Sequence, residues 1–117
     1  MRLRTTKQQV GQQGEDEALT YLLRQGLQLI ERNFHCKGGE IDLLMQDRHT
    51  LVFVEVRKRA RSEYGGAAAS VTAAKQQRLI IAAQYYLQRY TMPPPCRFDV
   101  IAIDDGALSW LKNVIDA

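Results

Sequence analysis

Apolar residues recur at helical spacing in two stretches of the chain. Across residues 10–25 they return every three or four positions and Gly26 follows, which predicts an amphipathic helix with a glycine at its end. A second stripe crosses residues 72–90, with Ser70 or Thr72 placed to cap its start. The pattern predicts two helices that each turn one face toward a core.

Between and after these helices the pattern changes to alternation, which predicts strands. The first strand covers residues 27–34, and the next two form a hairpin that turns at residues 47–50. A proline-rich connector at residues 93–96 ends the second helix, and further strands are predicted at residues 98–103 and 107–111. Both hairpin faces are apolar near the turn, so we expect an α/β fold with helices on both sides of a sheet.

The hairpin places two acidic residues opposite each other. If Gln46 faces Leu51, the register sets Asp42 opposite Glu55 and Glu40 opposite Arg57. These residues share one face of the hairpin with Leu44, Leu51 and Phe53, and the other face carries Ile41, Leu43, Met45, Val52, Val54 and Val56. Like charges directly across a ladder are destabilising, so a cation is expected between Asp42 and Glu55.

Two kinds of cation could fill this place. Mg²⁺ is commonly held by one or two carboxylates while it keeps waters and phosphate oxygens. Arg57 is the simpler candidate, because arginines often neutralise acids at a solvated end of a sheet. The hairpin alone leaves both alternatives open.

Charged residues also extend the apolar stripes of both helices toward their starts. Glu15 lies on the buried side of the first helix, near Gly11 and Gly14, and glycines there allow a backbone or a phosphate to approach closely. Lys75 has the same position on the second helix. The alternatives are a favourable charge in a first helical turn for Glu15 and a snorkelling surface residue for Lys75.

Composition fits a single domain spanning residues 1–117. The chain is 45% hydrophobic and 25% charged, has no apolar run of the ~20 residues that cross a membrane, and shows no secretory signal. Cys36 and Cys96 match no metal spacing and are expected to be reduced, so we predict a cytoplasmic protein. A net charge of +3 permits nucleic-acid binding without arguing for it.

The basic residues are clustered rather than scattered. Residues 1–9 contain no acid and are expected to form a flexible basic arm with Arg2, Arg4 and Lys7. A solvated surface would explain such clusters equally well, yet they adjoin the acidic pair. The candidate nucleic-acid-binding residues are Arg57, Lys58, Arg59, Arg61, Lys75 and Arg78.

The order of elements, with Glu15 on the first helix, Asp42 on the second strand and Glu55 on the third, resembles the PD-(D/E)-x-K nuclease superfamily. Within it the chain is similar to the YraN-like (UPF0102) family of small bacterial proteins, which are themselves similar to archaeal Holliday-junction resolvases. The matching strings are Gly14-Glu15, Glu31-Arg32-Asn33-Phe34, Gly39-Glu40-Ile41-Asp42-Leu43, Phe53-Val54-Glu55-Val56, Val71-Thr72 with Lys75-Gln76, and Arg97-Phe98-Asp99-Val100.

This resemblance implies a restriction-endonuclease-like fold, a three-layer α/β/α arrangement with a central mixed sheet and elements in the order αβββαβ. It also implies Mg²⁺ or Mn²⁺ held by Asp42 and Glu55, with Glu15 as an auxiliary acid near the metal. The lysine of the signature falls on Arg57. Arginine cannot act as a base, so Arg57 could only donate hydrogen bonds and charge, and Lys75 could supply the missing amine.

The implied function is a metal-dependent endonuclease that hydrolyses DNA, with branched or flapped DNA as preferred substrates. Asp42, Glu55, Arg57 and Lys75 are its candidate catalytic residues. The alternative is a catalytically impaired nuclease fold that binds nucleic acid, in which Arg57 neutralises the acids. No membrane partner is expected, and a homodimer is left open.

Overall fold

A computed structural model describes residues 7–59 and 66–116 of the chain. Its elements in chain order are α1 (Lys7–Arg24), β1 (Gln28–Cys36), β2 (Gly39–Asp47), β3 (Thr50–Arg59), α2 (Gly66–Ala69), α3 (Ala73–Leu87), β4 (Cys96–Asp104) and β5 (Ala107–Leu111). Every predicted helix and strand is present. The short helix α2 was not predicted, because four small residues carry no periodic pattern.

The five strands form one sheet in the order β1-β2-β3-β4-β5. Neighbouring strands are antiparallel except β3 and β4, which are parallel and are joined by a crossover through α2 and α3. Helix α1 packs on one face of the sheet, and α2 and α3 pack on the other. The fold is therefore a three-layer α/β/α structure with a central mixed sheet, the restriction-endonuclease-like arrangement that was predicted.

The helix ends follow local backbone chemistry. Gly26 takes the left-handed conformation, with φ at 94°, directly after α1. The hydroxyl of Thr72 caps α3 by accepting a hydrogen bond from the Lys75 amide at 3.3 Å. Helix α1 begins at Lys7, inside the predicted basic arm, and residues 1–6, with Arg2 and Arg4, lie outside the described residues.

Two apolar clusters hold the layers together. The cluster beneath α1 includes Leu43 and Val54, and the cluster beneath α3 includes Leu44 and Phe53, as alternation predicts. The predicted face of Ile41 is wrong, since Ile41 packs beneath α3 with Leu44. The alternation breaks at this point because the start of β2 lies beyond the residues paired with β3 and rests against α3.

A buried polar network ties β4 to the end of the chain. Asp99 is 0% exposed, and its carboxylate accepts hydrogen bonds from Arg97 Nε at 3.1 Å, Trp110 Nε1 at 2.9 Å and the Asn113 amide at 2.8 Å. Arg97 also forms an ion pair with Asp47 at 3.0 Å. These bonds satisfy the buried charge of Asp99.

None of the described helices combines the length and the apolar character needed to cross a membrane. Both cysteines are free.

The contact between Gly39 and α3 gives a stability prediction. A Cβ atom on Gly39 would lie 2.5 Å from the Arg78 carbonyl oxygen and 2.7 Å from the Ala82 amide nitrogen. Gly39→Ala is expected to lower the free energy of unfolding by about 3 kcal/mol in urea denaturation, since β2 must move away from α3. Gly11→Ala is the matched control, because nothing lies within 4 Å of its added Cβ. Equal stability of the Gly39 variant and the wild type would contradict the close contact.

Candidate functional site

The strands β2 and β3 part at one end of the sheet. Their predicted register is confirmed from Asp47 opposite Thr50 to Leu43 opposite Val54, but the ladder stops there, short of the predicted Asp42 and Glu55 pair. The Val56 amide instead donates a hydrogen bond to Asp42 Oδ2 at 2.8 Å. A carboxylate therefore takes the place of a strand carbonyl, and a cavity of about 170 Å³ lies at the opening.

Four elements supply the walls of this cavity. Helix α1 contributes Glu15, the two parting strands contribute their acids and Arg57, and α3 contributes its first two turns. The structure thus gathers most of the predicted site residues around one space. The residues that line it are Gly11, Glu15, Glu40, Asp42, Glu55, Val56, Arg57, Lys75 and Arg78.

Asp42 and Glu55 form the acidic centre of the cavity. Glu55 is 7% exposed, and burial, followed by the charge of Asp42, raises the pKa of Glu55 to about 8. Burial also raises the pKa of Asp42, while the hydrogen bond from Val56 opposes that rise. Without a metal, Glu55 therefore carries a proton at neutral pH and the two acids avoid facing each other as two charges.

Glu15 approaches this pair from α1 with an unsatisfied oxygen. Its Oε1 is buried and has no hydrogen-bond partner, and the nearest cation, Arg32 Nη2, lies 3.7 Å away. Arg32 instead bonds Asp16 at 2.7 Å. Burial first, and then the charge of Asp42, raises the pKa of Glu15. Glu15 therefore lies beside the pair, and one oxygen of its carboxylate accepts no hydrogen bond from the described residues.

The donor set fits a hard divalent ion that keeps part of its water. Among residues 7–59 and 66–116, no three acidic, histidine or cysteine side chains converge tightly enough to hold one ion by themselves. Two carboxylates, with Glu15 lining the same cavity, match the coordination of Mg²⁺, which retains several waters. Asp42 and Glu55 are the residues that would hold it.

Arg57 lies beside the acids but does not pair with them. Its Nε donates a hydrogen bond to Ser70 Oγ at 3.0 Å, and within the described part of the chain it forms no ion pair. Its charge still opposes the rise that burial causes in the pKa of Asp42 and of Glu55. Neutralisation of the acids by direct contact with Arg57 is absent.

Lys75 lies over the cavity in the first turn of α3. Burial, followed by the charge of Arg57, lowers the pKa of Lys75, and Glu55 opposes this effect. Its side chain makes no hydrogen bond or ion pair with any residue that the structure describes. Lys75 therefore lines the cavity with an ammonium group that is unpaired among the described residues. It lies at the start of the helix, as predicted.

The remaining predicted nucleic-acid-binding residues do not share one place. Arg78 lines the cavity, whereas Lys58 turns to the α1 face of β3 and forms an ion pair with Glu17. Arg59 is exposed at the end of β3 outside the cavity lining, and Arg61 lies outside the described residues. Successive side chains of a strand point to opposite faces of the sheet, so Lys58 and Arg57 lie on different faces of β3.

With the cavity defined, comparison with known proteins identifies the family. The family model described as Uncharacterised protein family UPF0102 matches residues 14–103, a span that includes every cavity residue except Gly11. This chain belongs to UPF0102. The predicted family resemblance is confirmed.

Curated UPF0102 relatives match over nearly their whole length. A UPF0102 protein of Janthinobacterium sp. (strain Marseille) is 71% identical over 117 residues, covering 100% of this chain and 95% of the relative. One from Herminiimonas arsenicoxydans is 71% identical over 116 residues, covering 99% and 94%. One from Methylibium petroleiphilum is 55% identical over 119 residues, covering 96% and 98%.

The UPF0102 cavity also contains a residue whose role the sequence did not indicate. Glu40 was predicted opposite Arg57, which is wrong: Glu40 lies 3.6 Å from His35 Nδ1 and 3.9 Å from Arg78 Nε. The start of β2 leans on α3 rather than pairing with β3, so its side chains meet α3 residues. Glu40 thus forms the rim of the cavity and joins Arg78 there.

Proposed function

We propose that this UPF0102 protein is a divalent-metal-dependent endonuclease that hydrolyses phosphodiester bonds, with DNA as its substrate. One observation carries the proposal: Asp42 and Glu55 stand together in a cavity and pair with no cation of the described chain, while Arg57 and Lys75 face the same space. Carboxylates held in this way are suited to a metal, and the neighbouring cations are suited to a phosphate.

The acids and the cations have separate roles in this proposal. Bound Mg²⁺ or Mn²⁺ would supply an activated water and neutralise charge on the scissile phosphate. Asp42 and Glu55 would hold the ion, and Glu15 lines the same cavity as an auxiliary acid. A guanidinium group donates hydrogen bonds and accepts none, so Arg57 would bind and neutralise the phosphate rather than act as a base.

The finer proposal, a substrate preference, is supported by the resemblance of the sequence to archaeal resolvases and by the charges around the cavity. Lys75 and Arg78 extend the positive edge along α3, and Arg59 lies at the end of β3. Lys75 and Arg78 would contact the nucleic-acid backbone rather than the bases. We propose branched or flapped DNA as the preferred form, since these structures bend the backbone at the point of cleavage.

A cleavage assay with Asp42→Asn tests the proposal. Purified protein in Mn²⁺ or Mg²⁺ is expected to cut at least one of duplex, flapped, single-stranded or four-way DNA. Asp42→Asn is expected to lower the rate about a hundredfold or more, because a metal carboxylate is lost while the acceptor for the Val56 amide is kept. Glu31→Gln, which alters an exposed carboxylate outside the cavity, is the matched control.

Failure to cut any of these substrates, together with unchanged metal binding by Asp42→Asn, would overturn the nuclease proposal. The second candidate is then a nucleic-acid-binding module, which the arginine at the lysine position of the signature favours. DNA affinity that falls as salt rises would support that function. Affinity that is independent of salt would contradict it.

A further inference from the structure

Arg57 is anchored by the hydroxyl group of Ser70, a residue that is not among the predicted catalytic residues. Its Nε donates to Ser70 Oγ at 3.0 Å, and Ser70 Oγ itself donates to the Ala67 carbonyl oxygen at 2.5 Å. Because the Ser70 proton is committed to Ala67, the oxygen lone pairs are turned toward Arg57. Ser70 is thus an oriented acceptor for one edge of the guanidinium group.

The segment that carries Ser70 is itself fixed to the sheet. The Ala67 amide at the start of α2 donates to Asp104 Oδ1 at 2.6 Å, and Gly66 has φ at 81° where a Cβ would lie 2.9 Å from that oxygen. Asp104 is paired with Arg59 in the parallel β3 and β4 ladder, two residues from Arg57. The segment that carries the anchor is therefore fixed to β4, the strand that neighbours the one carrying Arg57.

The anchored edge leaves the other two nitrogen atoms of Arg57 without partners. Within the described residues, its Nε is the atom that donates, and Nη1 and Nη2 take part in no hydrogen bond or ion pair. Arg57 lines the cavity, as do the acids and Lys75. A planar pair of N–H groups fixed in this way matches the bidentate recognition of phosphate oxygens.

We infer that Ser70 is a positioning residue that holds Arg57 by its Nε, so that both terminal nitrogens of Arg57 bind a phosphate group of the substrate. The phosphate part of this inference rests on the proposed nuclease function, whereas the anchor does not. The inference also assigns α2 a purpose: the short helix presents Ser70 to β3. A lysine at position 57 would have no Nε–H to give Ser70 and no planar fork.

Nuclear magnetic resonance tests the anchor without any cleavage. In ¹⁵N-labelled full-length protein, the Arg57 Nε–H signal is assigned by its disappearance in Arg57→Lys. Its hydrogen exchange is expected to speed up about tenfold or more in Ser70→Ala, to stay near the wild-type rate in Ser70→Thr, and to stay unchanged in Ser109→Ala, an exposed serine outside the cavity. Unchanged exchange in folded Ser70→Ala would overturn the anchor.

Cleavage kinetics test the phosphate contact. Ser70→Ala is expected to lower kcat/KM about tenfold, the scale of one charge-assisted hydrogen bond, and Ser70→Thr is expected to restore it. In the Arg57→Lys background, Ser70→Ala should cause no further loss, because the positioned group is already gone. An equal loss in both backgrounds would overturn the positioning role. Faster Nε–H exchange in Ser70→Ala, in a protein that cuts none of the substrates and whose metal binding Asp42→Asn leaves unchanged, would support the anchor and overturn the nuclease proposal.

Discussion

Replacing Glu55 by glutamine is expected to make the metal-free protein more stable and to abolish the proposed cleavage of DNA. At pH 8 burial and Asp42 oppose the charge of Glu55, and the neutral amide removes this conflict while it can still donate toward Asp42, as the protonated acid does. We expect the melting temperature in EDTA to rise by a few degrees, which corresponds to about 1 kcal/mol or more. Cleavage should fall about a thousandfold, since the amide is a poor metal ligand.

Thermal melts and cleavage assays on the same preparation provide the measurement. Mn²⁺ should raise the melting temperature of the wild type and leave that of Glu55→Gln unchanged, because only the wild type has both carboxylates. A variant that is destabilised in EDTA would show that Glu55 is a structural acid. A variant that still gains stability from Mn²⁺ would remove Glu55 from the metal site.

The free energy of unfolding of the metal-free protein is expected to fall as the pH rises from about 5 to about 8. The pKa of Glu55 is raised from its ordinary 4.5 to about 8 in the folded state, so between these values the folded protein binds more protons than the unfolded chain. The stabilisation is complete below pH 4.5 and is lost as the pH passes through about 8. One such group changes stability by up to about 1.4 kcal/mol per pH unit.

Raised pKa values of Asp42 and Glu15 act in the same direction. Urea denaturation in EDTA across this pH range measures the slope, and Glu55→Gln is the control in which most of the slope should disappear. At pH 8, Mn²⁺ at about a hundred times its dissociation constant should return about 2.7 kcal/mol to the wild type. A free energy of unfolding in EDTA that does not change with pH would contradict the raised pKa of Glu55 and its burial as the cause.

The parts of the fold that depend on local pattern were predictable from sequence. The hairpin register follows from apolar alternation and a short turn, and it holds as far as Leu43 opposite Val54, the residues that precede Asp42 and Glu55 in the predicted ladder. The position of Lys75 follows from the Thr72 cap, which fixes where α3 begins. These features depend on residues close together in the chain, where periodicity is decisive.

The features that were missed depend on contacts between distant segments. The displaced face of Ile41 follows from the bond between Asp42 and the Val56 amide, which ends the ladder, and alternation assumes an intact ladder. Ser70 reaches Arg57 only because Asp104 anchors α2 to β4. The buried Asp99 is satisfied by groups from three separate positions on β4, on β5 and after it. Contacts between residues so far apart in the chain leave no periodic pattern in the sequence.

The hydrogen bond from Val56 to Asp42 has a consequence for how UPF0102 sequences are compared. A chain that had lost all catalytic activity would still need an oxygen acceptor at position 42, because the Val56 amide would otherwise be buried without a partner. Glu55 accepts no comparable backbone hydrogen bond among the described residues. Other residues could therefore replace it in such a chain. Under the proposed nuclease function, an oxygen acceptor at position 42 alone is therefore not a mark of cleavage, because asparagine would satisfy the Val56 amide as well, whereas acids at both positions 42 and 55 would be.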